Sequence, residues 1–135
     1  MLVFNPDGRD RSRSAKDLLM LDPQAFAAGW IAAWNSHDLD RILSHYADDI
    51  VFLSPVEQAR LGNGRVAGRN ALRAYWRGGL AAQPDLHFAP EAVLVGHECL
   101  TILYRNHRGQ AAAETFEFGP GGTVVRSFAC YRQAG

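Results

Sequence analysis

The segment ETFEFGPGGTVVRSFACY, residues 114–131, decides the fold class of this chain. In its first half Phe116 and Phe118 alternate with polar side chains, which is the two-residue period of a β-strand with one buried face. Glycines interrupt the pattern within residues 119–122, and a second strand-like run follows. Because a connection this short joins neighbouring antiparallel strands, the segment predicts a β-hairpin.

The strand pattern extends backwards from this hairpin to about residue 85. Short turns that contain glycine separate the strand-like segments, which are 86–95, 98–107, 110–118 and 123–132. These four strands are predicted to form an antiparallel meander. A further short strand is predicted at Ile50–Leu53, where β-branched, aliphatic and aromatic residues precede Pro55.

The first half of the chain has the period of α-helices instead. Asp22 is placed to cap a helix that begins at Pro23, and Asp38 is placed to cap a second helix. A third helix follows Gly68. The apolar faces of the three helices are Phe26, Trp30 and Trp34, then Leu39, Ile42, Leu43 and Tyr46, and finally Leu72, Tyr75, Trp76 and Leu80.

Three helices followed by a meander predict an α+β fold, in which a strongly curved antiparallel sheet wraps around the helices. At 135 residues the chain fits one domain, which we assign to residues 22–135. Residues 1–21 have mixed charges and no sustained period, which is typical of a flexible leader. The natural start is either Met1 or Met20.

The composition argues against several classes of partner. Fourteen basic and fourteen acidic side chains give a net charge of zero, with no basic stripe outside the leader, so we expect no nucleic-acid partner. No apolar run reaches the roughly 20 residues that cross a bilayer, which predicts a cytoplasmic protein without a membrane partner. Metal-ligand spacings and glycine-rich phosphate loops are missing from the sequence, so we expect no metal and no cofactor.

Three stretches together resemble one family. They are WIAAWNSHDLDRILSHYADDIVFLSP (30–55), GRNALRAYWRGGL (68–80) and ETFEFGPGGTVVRSFACY, and they are similar to the SnoaL-like group of the nuclear transport factor 2 superfamily. The resemblance covers residues 24–132. It implies a cone-shaped α+β barrel with a ligand cavity, and a homodimer formed through the outer face of the sheet. Because the superfamily includes isomerases, dehydratases, polyketide cyclases, epoxide hydrolases and non-catalytic binders, the fold does not specify the reaction.

A resemblance to ketosteroid isomerases implies roles for single residues. Trp30 stands where those enzymes have an oxyanion-donating tyrosine, and Ser54 stands where they have the carboxylate base. Tyr46 matches a supporting tyrosine, Trp76 replaces its partner, and Glu114 matches the protonated aspartate of the oxyanion hole. Proton abstraction beside a carbonyl needs a base within about 3 Å, and Ser54 supplies none. This difference argues against isomerisation of that type.

Glu114 is the central candidate for a functional site. Strand alternation puts it on the same face as Phe116 and Phe118, where a carboxyl group must be hydrogen-bonded, paired or protonated. We expect its pKa to lie above the usual value for glutamate, because burial penalises the charged form. His45 adjoins the apolar stripe and is a second candidate acid or base. The predicted cavity residues are Trp30, Trp34, Tyr46, Phe52, Ser54, Trp76, Phe116, Ser127 and Tyr131.

Two of these features also have a plain structural interpretation. The helical tryptophans fit an ordinary apolar core, although in an open cone the same side chains can form both core and cavity wall. The histidines in predicted turns, His97 and His107, are expected to be solvated.

Two functions fit these residues. The first is non-catalytic binding of a small, largely apolar organic molecule, with Glu114 as a hydrogen-bonding anchor. The second is a cofactor-free enzyme, namely a cyclase, dehydratase or isomerase that acts on a polyketide-like or ring-bearing substrate with Glu114 as acid or base. The sequence leaves both open, together with the identity of the ligand.

The final strand also predicts a homodimer. Both of its faces are largely apolar, whereas a sheet open to water on one side alternates with polar residues. We therefore expect a second copy to cover the outer face. The side chains expected to face the cavity are Val125, Ala129 and Tyr131, and those expected on the outer face are Val124, Phe128 and Cys130.

Overall fold

The computed structural model describes residues 22–56 and 62–133. The predicted leader, residues 1–21, lies outside the described residues. In the described part, helices pack on one face of a single six-stranded sheet that does not close. The predicted α+β fold class is therefore confirmed.

The helices with described bounds are α1 (Pro23–Ser36), α2 (Leu39–Leu43) and α3 (Arg69–Ala82). The strands are β1 (Tyr46–Leu53), β2 (Arg65–Ala67), β3 (Ala89–Gly96), β4 (Cys99–Arg105), β5 (Ala111–Phe118) and β6 (Val124–Tyr131). A short 3-10 turn, Pro120–Gly122, joins β5 to β6. No helix in this part of the chain is long and apolar enough to cross a membrane.

The two predicted caps form as expected. The carboxylate of Asp22 accepts a hydrogen bond from the backbone N–H of Ala25 at 3.0 Å, which satisfies one of the free donors at the start of α1. Asp38 does the same for α2 by accepting from the N–H of Arg41 at 3.3 Å. Between them, His37 has a positive φ of 62°, and this left-handed residue ends α1 and turns the chain into α2.

The sheet has the strand order β2-β1-β6-β5-β4-β3. All neighbouring pairs are antiparallel except β1 and β6, which run parallel, so the sheet is mixed rather than wholly antiparallel. The meander from β3 to β6 is made of short connections, which require antiparallel neighbours. β1 and β6 are far apart in sequence, so no hairpin constrains their relative direction.

The prediction that Tyr46 continues the second helix is wrong. α2 ends at Leu43, and Tyr46 is instead the first residue of β1, paired with Val124 of β6. The backbone C=O of His45 accepts a hydrogen bond from the N–H of Val124 at 3.0 Å, so pairing with β6 extends the strand towards α2. β2, which the sequence did not reveal, has only three residues and thus no readable period.

A bulge at the start of β6 changes the predicted faces of two valines. Phe118 pairs with Val124, but Glu117 pairs with Arg126, so one extra residue is accommodated on β6. As a result Val124, expected on the outer face, is fully buried, and Val125 is only half-buried. Further along, Ala129 is buried as predicted.

Candidate functional site

A cavity of about 630 Å³ lies between helices α1 and α3 and the inner face of the sheet. This volume is in the range of pockets that hold small organic ligands, roughly 300–1,000 Å³. Its buried lining is mainly aromatic and includes Trp30, Trp34, Phe52, Ser54, Trp76, Leu86, Phe88, Tyr104 and Glu114. Its more exposed rim is polar on one side and includes Gln83, Asn106, Arg108 and Gln110.

The structure brings most of the predicted site residues to this cavity. Besides Glu114, those that line it are Trp30, Trp34, Phe52, Ser54, Trp76 and Tyr131. The other three predicted wall residues, Tyr46, Phe116 and Ser127, are fully buried and do not line the cavity. Two of these three are connected to Glu114 by hydrogen bonds.

Glu114 is 4% exposed, although it is an acidic residue. It lies on β5 between Ile102 of β4 and Ala129 of β6, both of which are buried. The predicted alternation along β5 is confirmed, since Phe116 and Phe118 are buried on the same face. The hydroxyl of Ser127 on β6 donates a hydrogen bond to Oε2 of Glu114 at 2.7 Å. A carboxyl group is thus held at the wall of an aromatic cavity.

A chain of hydrogen bonds runs from α1 to Glu114 through the core. Trp30 Nε1 donates to Tyr46 Oη at 2.9 Å, the hydroxyls of Tyr46 and Ser127 are hydrogen-bonded, and Ser127 donates to Glu114. An indole N–H is only a donor, and the single hydroxyl proton of Ser127 is directed to Glu114. These hydrogen bonds connect α1 to Glu114 through Tyr46 and Ser127.

The two buried tyrosines near Glu114 are neutral. Burial raises the pKa of Tyr46 well above its usual value, and the nearby charge of Glu114 raises it further. The same two causes, again with burial the larger, raise the pKa of Tyr104. Both phenols consequently keep their protons at neutral pH and remain hydrogen-bond donors.

The aromatic side chains of the lining are packed against one another. Trp30 stacks on Phe88 with ring centroids 5.6 Å apart, and Trp76 meets Trp34 edge to face at 4.9 Å. Asn35 holds Phe88 in place, because its side chain donates to the backbone C=O of Phe88 at 3.0 Å and accepts from its N–H at 2.7 Å. These rings are core and cavity wall at once, so both interpretations of the tryptophan stripe apply.

His45 does not lie at the cavity. It is half-buried in the link between α2 and β1, where its ring meets Phe26 edge to face at 5.4 Å and Nδ1 is 3.2 Å from the backbone C=O of Ile42. Burial lowers its pKa, with hydrogen bonding to the backbone opposing this effect. The sequence offers His45 as a second candidate acid or base, but its ring packs on Phe26 outside the cavity that Glu114 lines, so the structure does not bring the two candidates to one cavity.

His107 was expected to be solvated, but it is largely buried at the cavity. His97 is 93% exposed, as expected for a turn, but the side chain of His107 is only 10% exposed and lines the cavity. Phe88 and Tyr104 also line the cavity and were not predicted from the sequence. Tyr104 could have been found by continuing the alternation of β4 from Leu100, whereas Phe88 precedes its strand and shows no period. No cluster of metal-ligating side chains occurs in residues 22–56 and 62–133.

Comparison with known proteins identifies the family. The model of the SnoaL-like domain matches residues 27–133, so the chain belongs to the SnoaL-like domain family. A SnoaL-like protein of unknown function from Burkholderia thailandensis is 46% identical in sequence, and the match covers 82% of this chain and 95% of that one with a TM-score of 0.80. Among the curated proteins there is no match.

Two further solved structures share the fold at lower identity. TerC, which was co-crystallised with polyporic acid, is 15% identical over 82% of this chain and 92% of its own, with a TM-score of 0.67. AclR from Streptomyces galilaeus, which carries the provisional name of a hydroxylase, is 22% identical over 84% of this chain and 90% of its own, with a TM-score of 0.66. At these identities the likeness shows the fold alone.

Proposed function

We propose that this SnoaL-like domain binds a small, largely apolar, ring-bearing organic molecule in its cavity, with Glu114 as the polar anchor. The observation that supports this most is the buried carboxyl group on a mainly aromatic lining. Removing a carboxyl group from water costs free energy, and such groups are concentrated at sites where they meet a ligand or a reacting proton. TerC, which has the same fold, was co-crystallised with polyporic acid, which fits a ligand-binding role for the cavity.

The hydrogen-bond chain supports a specific role for Glu114. Because Ser127 is held by Tyr46, its hydroxyl is already directed at Glu114 before any ligand arrives. Burial also favours the protonated acid, so we expect the pKa of Glu114 to lie above its usual value. A protonated carboxyl group could donate a hydrogen bond to a ligand carbonyl near neutral pH.

An enzyme is the second candidate, and the same chain of hydrogen bonds favours it. A cofactor-free cyclase, dehydratase or isomerase would use Glu114 to give or take a proton. Tyr46 and Ser127 can reverse the direction of their hydroxyl protons when Glu114 changes its protonation state, which lowers the cost of that change. The provisional hydroxylase name of AclR agrees with an enzymatic role for a protein of this fold.

A homodimer and a cytoplasmic location remain proposals from the sequence, as does the leader at residues 1–21. For the dimer, the outer face of the sheet supplies half-buried apolar side chains such as Leu103, Ala113 and Phe128 on adjacent strands. A second copy would remove this surface from water. Light scattering at micromolar concentration should report twice the mass of the chain, and a mass of one chain would exclude the dimer.

The binding function is tested by the thermal stability of the protein against a library of small metabolites. A ligand present at about 100 times its Kd stabilises the folded state by about 2.7 kcal/mol. Glu114→Gln should keep the fold and much of the affinity, whereas Glu114→Ala should lose affinity. Glu117→Gln is the matched control, because Glu117 lies on the same strand but is exposed. If Glu114→Ala binds the ligand as tightly as the wild type, Glu114 is not the anchor.

The same ligand separates the two candidates. An enzyme would convert it, and the conversion would fall in Glu114→Gln even where binding survives, because an amide cannot exchange a proton as a carboxyl group does. A binding module would return the ligand unchanged. Mass spectrometry of the ligand after long incubation distinguishes these outcomes.

A further inference from the structure

The turn between β4 and β5 brings two basic side chains to the rim of the cavity. His107 and Arg108 both line it. Among the residues that the structure describes, the guanidinium of Arg108 forms no ion pair, whereas Arg105 on the preceding strand binds Glu91 at 2.8 Å. A cation of this kind at the entrance to an apolar cavity is available to a ligand.

Hydrogen bonds hold this turn in one conformation. Asn106 Oδ1 accepts from the backbone N–H groups of Arg108 and Gln110, each at 3.0 Å, and the Asn106 amide donates to Gln110 Oε1 at 3.0 Å. Arg105 adds a bond from Nη1 to the backbone C=O of Gly109 at 2.9 Å. Because the backbone is already ordered, binding a ligand at this rim orders fewer groups and costs less entropy.

His107 supplies a second, independent observation. Its Nε2 is 3.6 Å from Oδ1 of Asp85, while its Nδ1 is buried and has no hydrogen-bond partner in the described part of the chain. A buried nitrogen without a partner costs free energy, and a ligand carboxylate oxygen recovers it in the tautomer in which Nδ1 carries the proton.

We propose that this rim is an anion subsite, and that the ligand is a planar, ring-bearing carboxylic acid whose carboxylate binds Arg108 beside His107. The inference rests on the proposed function, since it requires a ligand in the cavity. A guanidinium matches a carboxylate with two parallel hydrogen bonds. The rings of the ligand then lie among Trp30, Trp76 and Phe88, the aromatic side chains that line the cavity.

The test compares 2-naphthoate with 2-naphthamide by isothermal titration calorimetry at neutral pH. The two probes have the same rings and differ in charge. We expect the wild type to bind the acid about tenfold more tightly than the amide, as for one charge-assisted contact. Arg108→Gln should abolish this preference and leave the affinity for the amide unchanged. Arg77→Gln is the control, because Arg77 is exposed on α3 and does not line the cavity.

Salt provides a further readout. The preference for the acid should shrink in 1 M NaCl, where charges at an exposed rim are screened over about 3 Å. If the wild type binds both probes equally, or if Arg108→Gln keeps the preference, the anion subsite is wrong while the binding function stands. If neither probe binds, both the anion subsite and the proposed ring-binding cavity are wrong.

Discussion

Strand β5 carries two glutamates, Glu114 and Glu117, three residues apart in opposite surroundings. Glu114 faces inward, is almost fully buried and accepts a hydrogen bond from Ser127. Glu117 faces outward, is exposed and stands opposite Arg126 on β6. The two faces of the sheet differ in the same way elsewhere, since the inner-face Phe116 is fully buried whereas the outer-face Leu103 and Phe128 are half-buried. The face of a strand, rather than the residue type, therefore decides which carboxyl group can belong to a site.

The largest expected contrast between the two faces is in the free energy of unfolding after removal of an aromatic ring. Trp30→Ala should cost about 3–5 kcal/mol, since Trp30 is fully buried and its ring packs against other rings that would lose these contacts. Phe128→Ala on the half-buried outer face should cost about 1 kcal/mol in an isolated chain. Urea denaturation measures both. Equal losses would break the contrast and indicate that the outer face is covered by a second copy.

Hydroxyl groups provide the second contrast. Ser127→Ala removes the donor to Glu114 and a partner of Tyr46, and leaving buried polar groups unsatisfied should cost about 1–3 kcal/mol. On the outer face, Thr115 shares a hydrogen bond of 2.8 Å with Thr101, but both are half-buried and open to water. Thr115→Val should therefore change stability by less than about 1 kcal/mol. If Thr115→Val lowers stability more than Ser127→Ala, the buried hydrogen bonds of Ser127 do not contribute as expected.

Alkaline pH should lower the stability of the folded protein through ionisation of Tyr46 on the inner face of the sheet. The pKa of Tyr46 in the folded state is raised above the usual value of 10.0. The stability that its neutral phenol contributes is therefore fully present below pH 10, and it is lost as the pH rises towards the folded-state pKa. Above pH 10 stability should fall by up to about 1.4 kcal/mol per pH unit for this group. Tyr46→Phe should show a shallower decline between pH 10 and 11 in thermal melts, after correction for its lower starting stability. An unchanged slope would show that Tyr46 ionises freely in the folded protein.

The smallest expected effect is a loss of folding stability at acidic pH, which arises from His45. Burial lowers its pKa in the folded state below 6.5, so the stability it contributes is present above pH 6.5 and is lost as the pH falls through the folded-state value. The group is partly open to solvent, so the loss should be small. His45→Gln should remove this part of the decline below pH 6.5, as followed by circular dichroism. His97→Gln is the control, because His97 is exposed.

Much of the inner face could be predicted from the alternation of residues along single strands. Phe116, Phe118 and Glu114 share a face because side chains two apart in a strand point the same way, whatever the rest of the fold. The helix starts were also predictable, since Asp22 and Asp38 act on backbone groups only three residues away. These are local interactions, and local sequence determines them.

The sequence predictions were wrong where contacts between distant segments determine the local structure or the burial of a residue. Tyr46 became a strand residue because it pairs with Val124 of β6, and the bulge of β6 reversed the predicted face of that valine. His107 was expected in water, but it lines the cavity because the β4–β5 turn lies at its rim. None of these partners is close in sequence, so no periodicity records them.

By itself the sequence determined the fold class, the helix caps and the inward direction of Glu114, because backbone hydrogen bonding and side-chain alternation act within a few residues. Only the tertiary structure decided which side chains meet in the cavity. It joined Trp30, Tyr46, Ser127 and Glu114 from one helix and three strands into one hydrogen-bond chain. The physical reason is that a buried polar group must find its partner wherever packing supplies one, and packing brings together residues that the chain keeps far apart.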